Sequence, residues 1–80
     1  MALSTLRPKD VTSILQAVPR LVKLPAKRIS IDYDDEADVL YLSFRRPQKA
    51  SDSELREDGI IIHRSGKQIV GITVLDASTR

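Results

Sequence analysis

The stretch ISIDYDDEADVLYLSF, residues 29–44, decides the fold. Two runs within it alternate apolar and polar side chains, a period of two that is typical of half-buried β-strands. The alternating apolar members are Ile29, Ile31, Tyr33, Leu40, Leu42 and Phe44. About five residues join the two runs, which is the length of an antiparallel hairpin connection. The stretch therefore predicts a β-hairpin.

Carboxylates crowd the connection between these two runs. They are Asp32, Asp34, Asp35, Glu36 and Asp38. A calcium-binding EF-hand loop that began at Asp32 would need glycine at its sixth position and glutamate at its twelfth, where this chain has Ala37 and Ser43. Aspartate is favoured in turns because its side chain accepts hydrogen bonds from backbone amides two residues further on. We interpret the cluster as a hairpin turn and keep its five carboxylates as weak candidates for binding a divalent cation.

Two more strands are predicted after a polar loop. Residues 59–65, GIIIHRS, and residues 67–76, KQIVGITVLD, are rich in β-branched side chains, and Ser65-Gly66 supplies a tight turn between them. Residues 48–58, QKASDSELRED, are polar and predict a loop. Gly71 inside the last strand indicates a bulge or a close backbone approach. The predicted fold class is α+β, a short N-terminal helix followed by a four-stranded antiparallel β-meander.

The helix is predicted from an apolar stripe near the N-terminus. Its members are Val11, Ile14, Leu15, Val18 and Leu21. Pro8 suits a first helical turn, whereas Pro19 lacks a backbone donor and predicts that the helix ends or kinks near Ala17 and Val18. Residues 23–28, KLPAKR, predict an extended linker. A helix this short is marginal alone in water, so we expect it to lie on one face of the sheet.

Charge is distributed unevenly along the chain. Of the net charge of +2, residues 1–28 contribute +5 and residues 29–80 contribute −3. This asymmetry predicts a basic helical N-terminal extension and linker over residues 1–27, and a β-meander domain over residues 28–80. The candidates for contacting nucleic acid are Arg20, Lys23, Lys27 and Arg28. We expect nucleic acid to be an unlikely partner, because the segment has no aromatic platform and is too short for a helix-turn-helix.

The size of the chain predicts that it needs a partner. An 80-residue chain with 41% hydrophobic residues and no cysteine forms one small domain that disulfides cannot stabilise, so further burial must come from oligomerisation or a bound partner. Aliphatic side chains on the last two strands point to both faces, and a single helix covers only one. We therefore predict a homodimer. The candidate interface residues are Ile61, Val70, Ile72 and Val74.

The sequence favours no catalytic activity and no cofactor. His63 is the single histidine, and Ser65 and Asp58 on the same strand do not predict a nucleophile–base–acid triad. The closing LDAS segment, with Asp76 and Ser78, is interpreted as a cap at the end of the last strand. No apolar run reaches the roughly 20 residues that span a bilayer, and the N-terminus lacks the features of a secretory signal. We expect a cytoplasmic protein with no membrane partner.

Three motifs resemble one known family. YDDEADVLY at residues 33–41, Asp58-Gly59, and LDAS at residues 75–78 resemble the small bacterial and archaeal proteins grouped as domain of unknown function family 2283, over about residues 28–78. The resemblance implies no established activity and no catalytic residues. Some members resemble neighbours of small toxins of the ribonuclease and gyrase-toxin class, which implies an antitoxin-like or partner role. The expected function is a non-catalytic protein–protein interaction module, with nucleic-acid contact or weak cation binding as alternatives.

Overall fold

The computed structural model describes residues 5–80 and confirms the α+β class. Within these residues, one α-helix, α1 (Pro8–Val22), precedes an antiparallel sheet, and a short 3-10 turn (Ala77–Thr79) follows it. The strands are β1 (Ser30–Asp34), β2 (Val39–Ser43), β3 (Asp52–Leu55), β4 (Ile60–Ser65) and β5 (Gln68–Leu75).

The sheet has the strand order β1-β2-β5-β4-β3. β1 and β2 form the predicted hairpin, in which Ile31 lies opposite Leu42. β3, β4 and β5 form a meander, and β5 then pairs with β2, so that β5 lies at the centre of the sheet. The prediction of a four-stranded meander is therefore wrong in the number of strands and in the neighbour of β2.

The missed strand, β3, lies in the segment predicted as a loop. Asp52–Leu55 contains one apolar residue in four, so no alternation marks it as a strand. It pairs with β4 in register, with Ser53 opposite His63, and extends an edge whose backbone groups would otherwise face water. An ion pair between Arg64 and Glu54, 2.8 Å apart, connects the same two strands. Partners on a neighbouring strand, rather than local propensity, create this element.

Helix α1 is longer than predicted. It continues through Pro19 to Val22, so of the two predicted outcomes, an end or a kink near Ala17 and Val18, the end is wrong. A proline removes a single hydrogen-bond donor, and the turn that follows it remains helical here. At the N-terminal end, Pro8 occupies the first helical position as expected, and the backbone N–H of Arg7 donates to the Asp10 carboxylate over 2.7 Å.

The register of the strands assigns their side chains to two different faces, because residues directly opposite each other point to the same side. The side that we call the aliphatic face has the aliphatic residues Ile31, Leu40, Leu42, Ile60, Ile62, Ile72 and Val74, and Tyr33 and Glu54 point to the same side. The face that we call the mixed face carries Asp32, Val39, Tyr41, Ser53, Leu55, Ile61, His63, Thr73 and Leu75, of which four are aliphatic. Aliphatic residues therefore concentrate on one side of the sheet.

The expectation that α1 lies on the sheet is wrong. No residue of the helix is buried, and the large apolar residues of its stripe, which Val22 extends by one residue, are 38% to 75% exposed. The linker, not the helix, approaches the sheet. Leu24, Pro25 and Ala26 line an apolar hollow of about 260 Å³ with Phe44, Ile69 and Ile72, at the end of the aliphatic face where β5 begins. The helix therefore leaves the aliphatic face uncovered.

Candidate functional site

The acidic connection between β1 and β2 is a turn, as predicted. One oxygen of the Asp34 side chain accepts the backbone N–H groups of Glu36 and Ala37 over 3.1 and 3.2 Å. This is the local hydrogen bonding for which aspartate is favoured in turns. Asp38 closes the turn in a left-handed backbone conformation, with φ of 57°. The turn therefore places the Asp38 carboxylate at the end of the sheet.

Three donors surround that carboxylate. The Tyr33 hydroxyl donates to one oxygen of Asp38 over 2.7 Å, and the backbone N–H of Ser78 donates to the same oxygen over 3.0 Å. The Ser78 hydroxyl donates to the other oxygen over 2.8 Å. These hydrogen bonds, that from Tyr33 first, lower the pKa of Asp38, because they favour its charged form. In turn, the hydrogen bond to Asp38 raises the pKa of Tyr33.

The other two motifs converge on the same end of the sheet. Gly59, with φ of 82°, lies in the turn between β3 and β4, where the Asp58 carboxylate accepts the N–H of Ile60. The carbonyl of Gly59 accepts the backbone N–H of Leu75 over 3.0 Å, and the carbonyl of Asp38 accepts the N–H of Ala77 over 3.0 Å. We call the set the motif cluster. Its members are Tyr33, Asp34, Asp38, Asp58, Gly59, Leu75, Ala77 and Ser78.

The family of the chain is identified from a stretch of residues that includes the motif cluster. A family model described as "Protein of unknown function (DUF2283)" matches residues 30–78. The chain belongs to this family. No curated protein and no solved structure matches the chain. The DUF2283 range contains all five strands, whereas α1 and its linker lie outside it.

The motif residues of this DUF2283 member thus have a structural role. Asp38 and Ser78 join the hairpin turn to the end of β5, and Gly59 provides the positive φ between β3 and β4. The closing LDAS segment does form a cap, but Ser78 and the N–H of Ala77 make its contacts to Asp38. Asp76 instead adopts a left-handed conformation, with φ of 52°.

The five candidate carboxylates are not arranged as a cation site. Asp32 lies within β1 on the mixed face, opposite Tyr41, while Asp34 and Asp38 already accept protein donors. Across residues 5–80, no group of three or more His, Cys, Asp or Glu side chains is placed to hold a metal ion. The remaining two, Asp35 and Glu36, are exposed at the tip of the turn.

His63 has partners that the sequence did not indicate. Its Nδ1 lies 2.7 Å from the hydroxyl of Ser53 on β3, and its Nε2 lies 2.8 Å from the hydroxyl of Thr73 on β5. Thr73 is 8% exposed. A Ser–His pair becomes a strong nucleophile when a carboxylate orients the imidazole and stabilises its charged form, and a neutral threonine hydroxyl stands in that place here. The arrangement is therefore a hydrogen-bonded connection across three strands.

The predicted interface residues do not form one surface. Ile72 and Val74 lie on the aliphatic face, whereas Ile61 lies on the mixed face. Val70 is 2% exposed and is the extra residue of a β-bulge, since the register passes from Gly71 opposite His63 to Ile69 opposite Arg64. The bulge confirms the expectation drawn from Gly71. Pairing across the hairpin adds Ile31 and Leu42 to the surface that Ile72 and Val74 share, which no local pattern revealed.

The candidate nucleic-acid residues follow one another along a short segment. Arg20 is in the last turn of α1, Lys23 caps that helix, and Lys27 and Arg28 are in the linker. All four are exposed. The aromatic residues of the chain are Tyr33, Tyr41 and Phe44, which lie beyond this segment. No helix within residues 5–80 combines the length and apolar character that crossing a membrane requires.

Proposed function

We propose that this chain is a non-catalytic protein–protein interaction module that binds its partner through the aliphatic face. The observation that supports the proposal is the solvent exposure of that face in the single chain. Ile31 is 57% exposed. The six other aliphatic residues of the face lie on the three central strands and are half-buried. Soluble monomers rarely expose a contiguous apolar surface of this kind unless another molecule covers it.

The polar groups of the chain support a binding role over a catalytic one. Protein donors already surround the Asp38 carboxylate, and hydroxyl groups lie at both ring nitrogens of His63. These hydrogen bonds connect neighbouring elements of the sheet, and the group at Nε2 of His63 is a neutral hydroxyl instead of a carboxylate that would orient a catalytic imidazole. The aliphatic face, in contrast, is left uncovered by its own helix. An interface is the use that its chemistry favours.

Two matched substitutions test this proposal. Ile31→Lys places a charge on the aliphatic face at the edge strand β1, and Leu55→Lys places the same charge on the mixed face at the opposite edge, β3. Both positions are exposed, Leu55 to 65%, so both variants should fold, which circular dichroism checks. Protein retained from a lysate of the native host by the wild type and by Leu55→Lys, native copies of this chain included, should be lost with Ile31→Lys. Equal retention by the two variants would contradict the proposal.

The antitoxin-like role that the family resemblance implies is one form of this proposal. A small toxin among the proteins lost with Ile31→Lys would identify it. The alternative function, contact with nucleic acid, is supported by the basic residues Arg20, Lys23, Lys27 and Arg28, and salt-dependent binding separates it from the first. Ile31→Lys would not weaken such binding, because it adds a positive charge and removes none of the basic residues.

A further inference from the structure

The apolar stripe of α1 is the second uncovered apolar surface of the chain. Its members are Val11, Ile14, Leu15, Val18, Leu21 and Val22, all of them exposed. They share one side of the helix because they recur at intervals of three and four residues. A helix of 15 residues gains most of its stability from packing such a stripe against another surface. The single chain supplies no such surface within residues 5–80 in the position that α1 takes.

The dimensions of the chain show how much surface it leaves open. Its radius of gyration is 14.1 Å, whereas a compact 80-residue domain has about 11.6 Å. Its accessible surface is 6841 Å², against about 4800 Å² for a compact monomer of its mass. The excess of roughly 2000 Å² exceeds the roughly 800 Å² that each partner buries in a standard interface. A stable dimer is therefore well within the surface available.

The stripe and the aliphatic face fit each other in size. A 15-residue helix is about 22 Å long and about 10 Å wide. The three central strands β2, β5 and β4 are spaced by about 4.8 Å, so their side chains span a similar width, and strands of five to eight residues are about 17 to 26 Å long. One helix laid on the sheet would cover most of the aliphatic face.

Charge distinguishes this pairing from the other ways to cover the two surfaces. Helix α1 with its two cap residues carries Arg7, Lys9, Arg20 and Lys23 against Asp10, a charge of four minus one, or +3, and residues 29–80 carry a charge of −3. Helix against sheet brings opposite charges together, whereas sheet against sheet or helix against helix joins two surfaces of the same sign. The linker also occupies one end of the aliphatic face of its own chain, where Leu24, Pro25 and Ala26 line the hollow with Phe44, Ile69 and Ile72.

We propose that α1 of one copy covers the aliphatic face of a second copy, and that the exchange is reciprocal about a two-fold axis. The inference rests on the proposed function, because it names the partner of the same face. A two-fold arrangement buries both apolar surfaces of both chains at once, because the stripe of each chain packs on the aliphatic face of the other.

Sedimentation equilibrium at micromolar concentration tests the dimer with a matched pair of helix variants. Leu15→Lys places a charge on the stripe, where Leu15 is 62% exposed, and Gln16→Lys places the same charge one residue further on, off the stripe. We expect a dimer for the wild type and for Gln16→Lys. Leu15→Lys should raise the dissociation constant about a hundredfold or more, because it buries an unpaired charge in an apolar contact, and Ile31→Lys, on β1 beside the three covered strands, should raise it by a smaller factor.

Chemical cross-linking tests which surfaces meet. The chain contains no cysteine, so a mixture of Leu15→Cys chains and Ile72→Cys chains has one thiol on each proposed surface. A short bismaleimide should link the two kinds of chain to each other in high yield, and replacing Leu15→Cys by Gln16→Cys should lower the yield strongly. Equal yields with the two helix variants, or a dimer that Leu15→Lys leaves intact, would overturn the reciprocal exchange.

A wild-type monomer at these concentrations would also overturn the exchange. The proposed function would survive that result if Ile31→Lys still lost a host protein that Leu55→Lys retains. Conversely, a dimer in which Ile31→Lys changes neither self-association nor host binding would remove both proposals. The two can therefore fail separately.

Discussion

Asp38 accepts both the backbone N–H and the hydroxyl of Ser78, a residue forty positions further along the chain. This contact joins the turn of the β1–β2 hairpin to the segment that follows β5, the central strand. Two elements that are adjacent in the sheet and distant in sequence are thereby connected outside the strand ladder itself. The hairpin should consequently depend on Ser78 for part of its stability.

Ser78→Ala should lower the free energy of unfolding. The substitution removes the hydroxyl donor to Asp38 and keeps the backbone N–H donor, so we expect a loss of about 0.5 to 1.5 kcal/mol, the net contribution of one hydrogen bond. Urea denaturation followed by circular dichroism measures it. Ser13→Ala is a suitable control, because the Ser13 hydroxyl donates to the Lys9 carbonyl within α1. Equal effects of the two substitutions would show that the link to Asp38 contributes nothing.

Stability should decrease on acidification through Asp38. The donors from Tyr33 and Ser78 hold the folded-state pKa of Asp38 below its ordinary value of 3.8. The stabilising contribution is therefore fully present above pH 3.8 and is lost as the pH falls through the lower, folded-state value. Denaturation measured between neutral and acidic pH should show a smaller acid loss in Asp38→Asn than in the wild type. The same acid loss in both proteins would contradict the assignment to Asp38.

The sequence predicted the elements whose pattern is local. The β1–β2 hairpin, β4 and β5 each contain alternating or β-branched residues bounded by turn residues, and the structure confirms all of them. The bulge near Gly71 was also predicted, since a glycine inside a strand commonly accompanies a bulge or a close backbone approach. The turn at Asp34 was predicted because its hydrogen bonds reach only two and three residues along the chain.

The features that depend on distant partners were missed. β3 is a strand because β4 lies beside it, and its sequence DSEL has no strand pattern of its own. The partners of His63 are ten residues away on either side, so neither Ser53 nor Thr73 could be inferred without the strand register. The resting position of α1 is a tertiary property, and an amphipathic pattern alone does not specify which surface the stripe contacts.

Charge removal at the tip of the acidic turn should have little effect. Asp35 and Glu36 are exposed at that tip, so Asp35→Asn with Glu36→Gln should change stability by less than about 1 kcal/mol. Asp34→Ala, in the same turn, should cost about 1 kcal/mol, because it leaves the N–H groups of Glu36 and Ala37 without their acceptor. Denaturation of the two variants side by side provides the comparison, and a larger loss in the charge-removal variant would reverse the order.

Calorimetric titration of the same charge-removal variant addresses the weak cation candidates in the turn. Asp34 and Asp38 already accept protein donors, so calcium, magnesium and manganese should bind the wild type no more tightly than millimolar. The charge-removal variant serves as the blank for non-specific attraction. A micromolar constant that this variant loses would establish a cation site and would displace the turn interpretation.

Thr73→Val should destabilise the protein more than Ser53→Ala does. Both substitutions remove a hydroxyl partner of His63, but Thr73 is buried at the centre of the sheet, whereas Ser53 is exposed on the edge strand. The Nε2 of His63 would be left unsatisfied in a partly buried position, at a cost of about 1 to 3 kcal/mol, while water can replace Ser53. Chemical denaturation of both variants decides the order, and a larger effect of Ser53→Ala would show that the Thr73 bond is dispensable.

Binding to nucleic acid should be weak and indifferent to sequence. The segment from Arg20 to Arg28 offers four cations with no aromatic residue among them, so its contacts would be to phosphates alone. Release of counterions from four phosphate contacts makes the logarithm of the affinity fall with the logarithm of the salt concentration, with a slope no steeper than about −3.6. Fluorescence anisotropy with labelled duplexes across a salt series measures this slope. Changing all four residues to glutamine should abolish the binding. The control Lys67→Gln, in the β4–β5 turn, should not abolish it. A sub-micromolar complex with one duplex sequence at physiological salt would reverse the order of the two proposed functions, because such selectivity requires base contacts that phosphate attraction cannot supply.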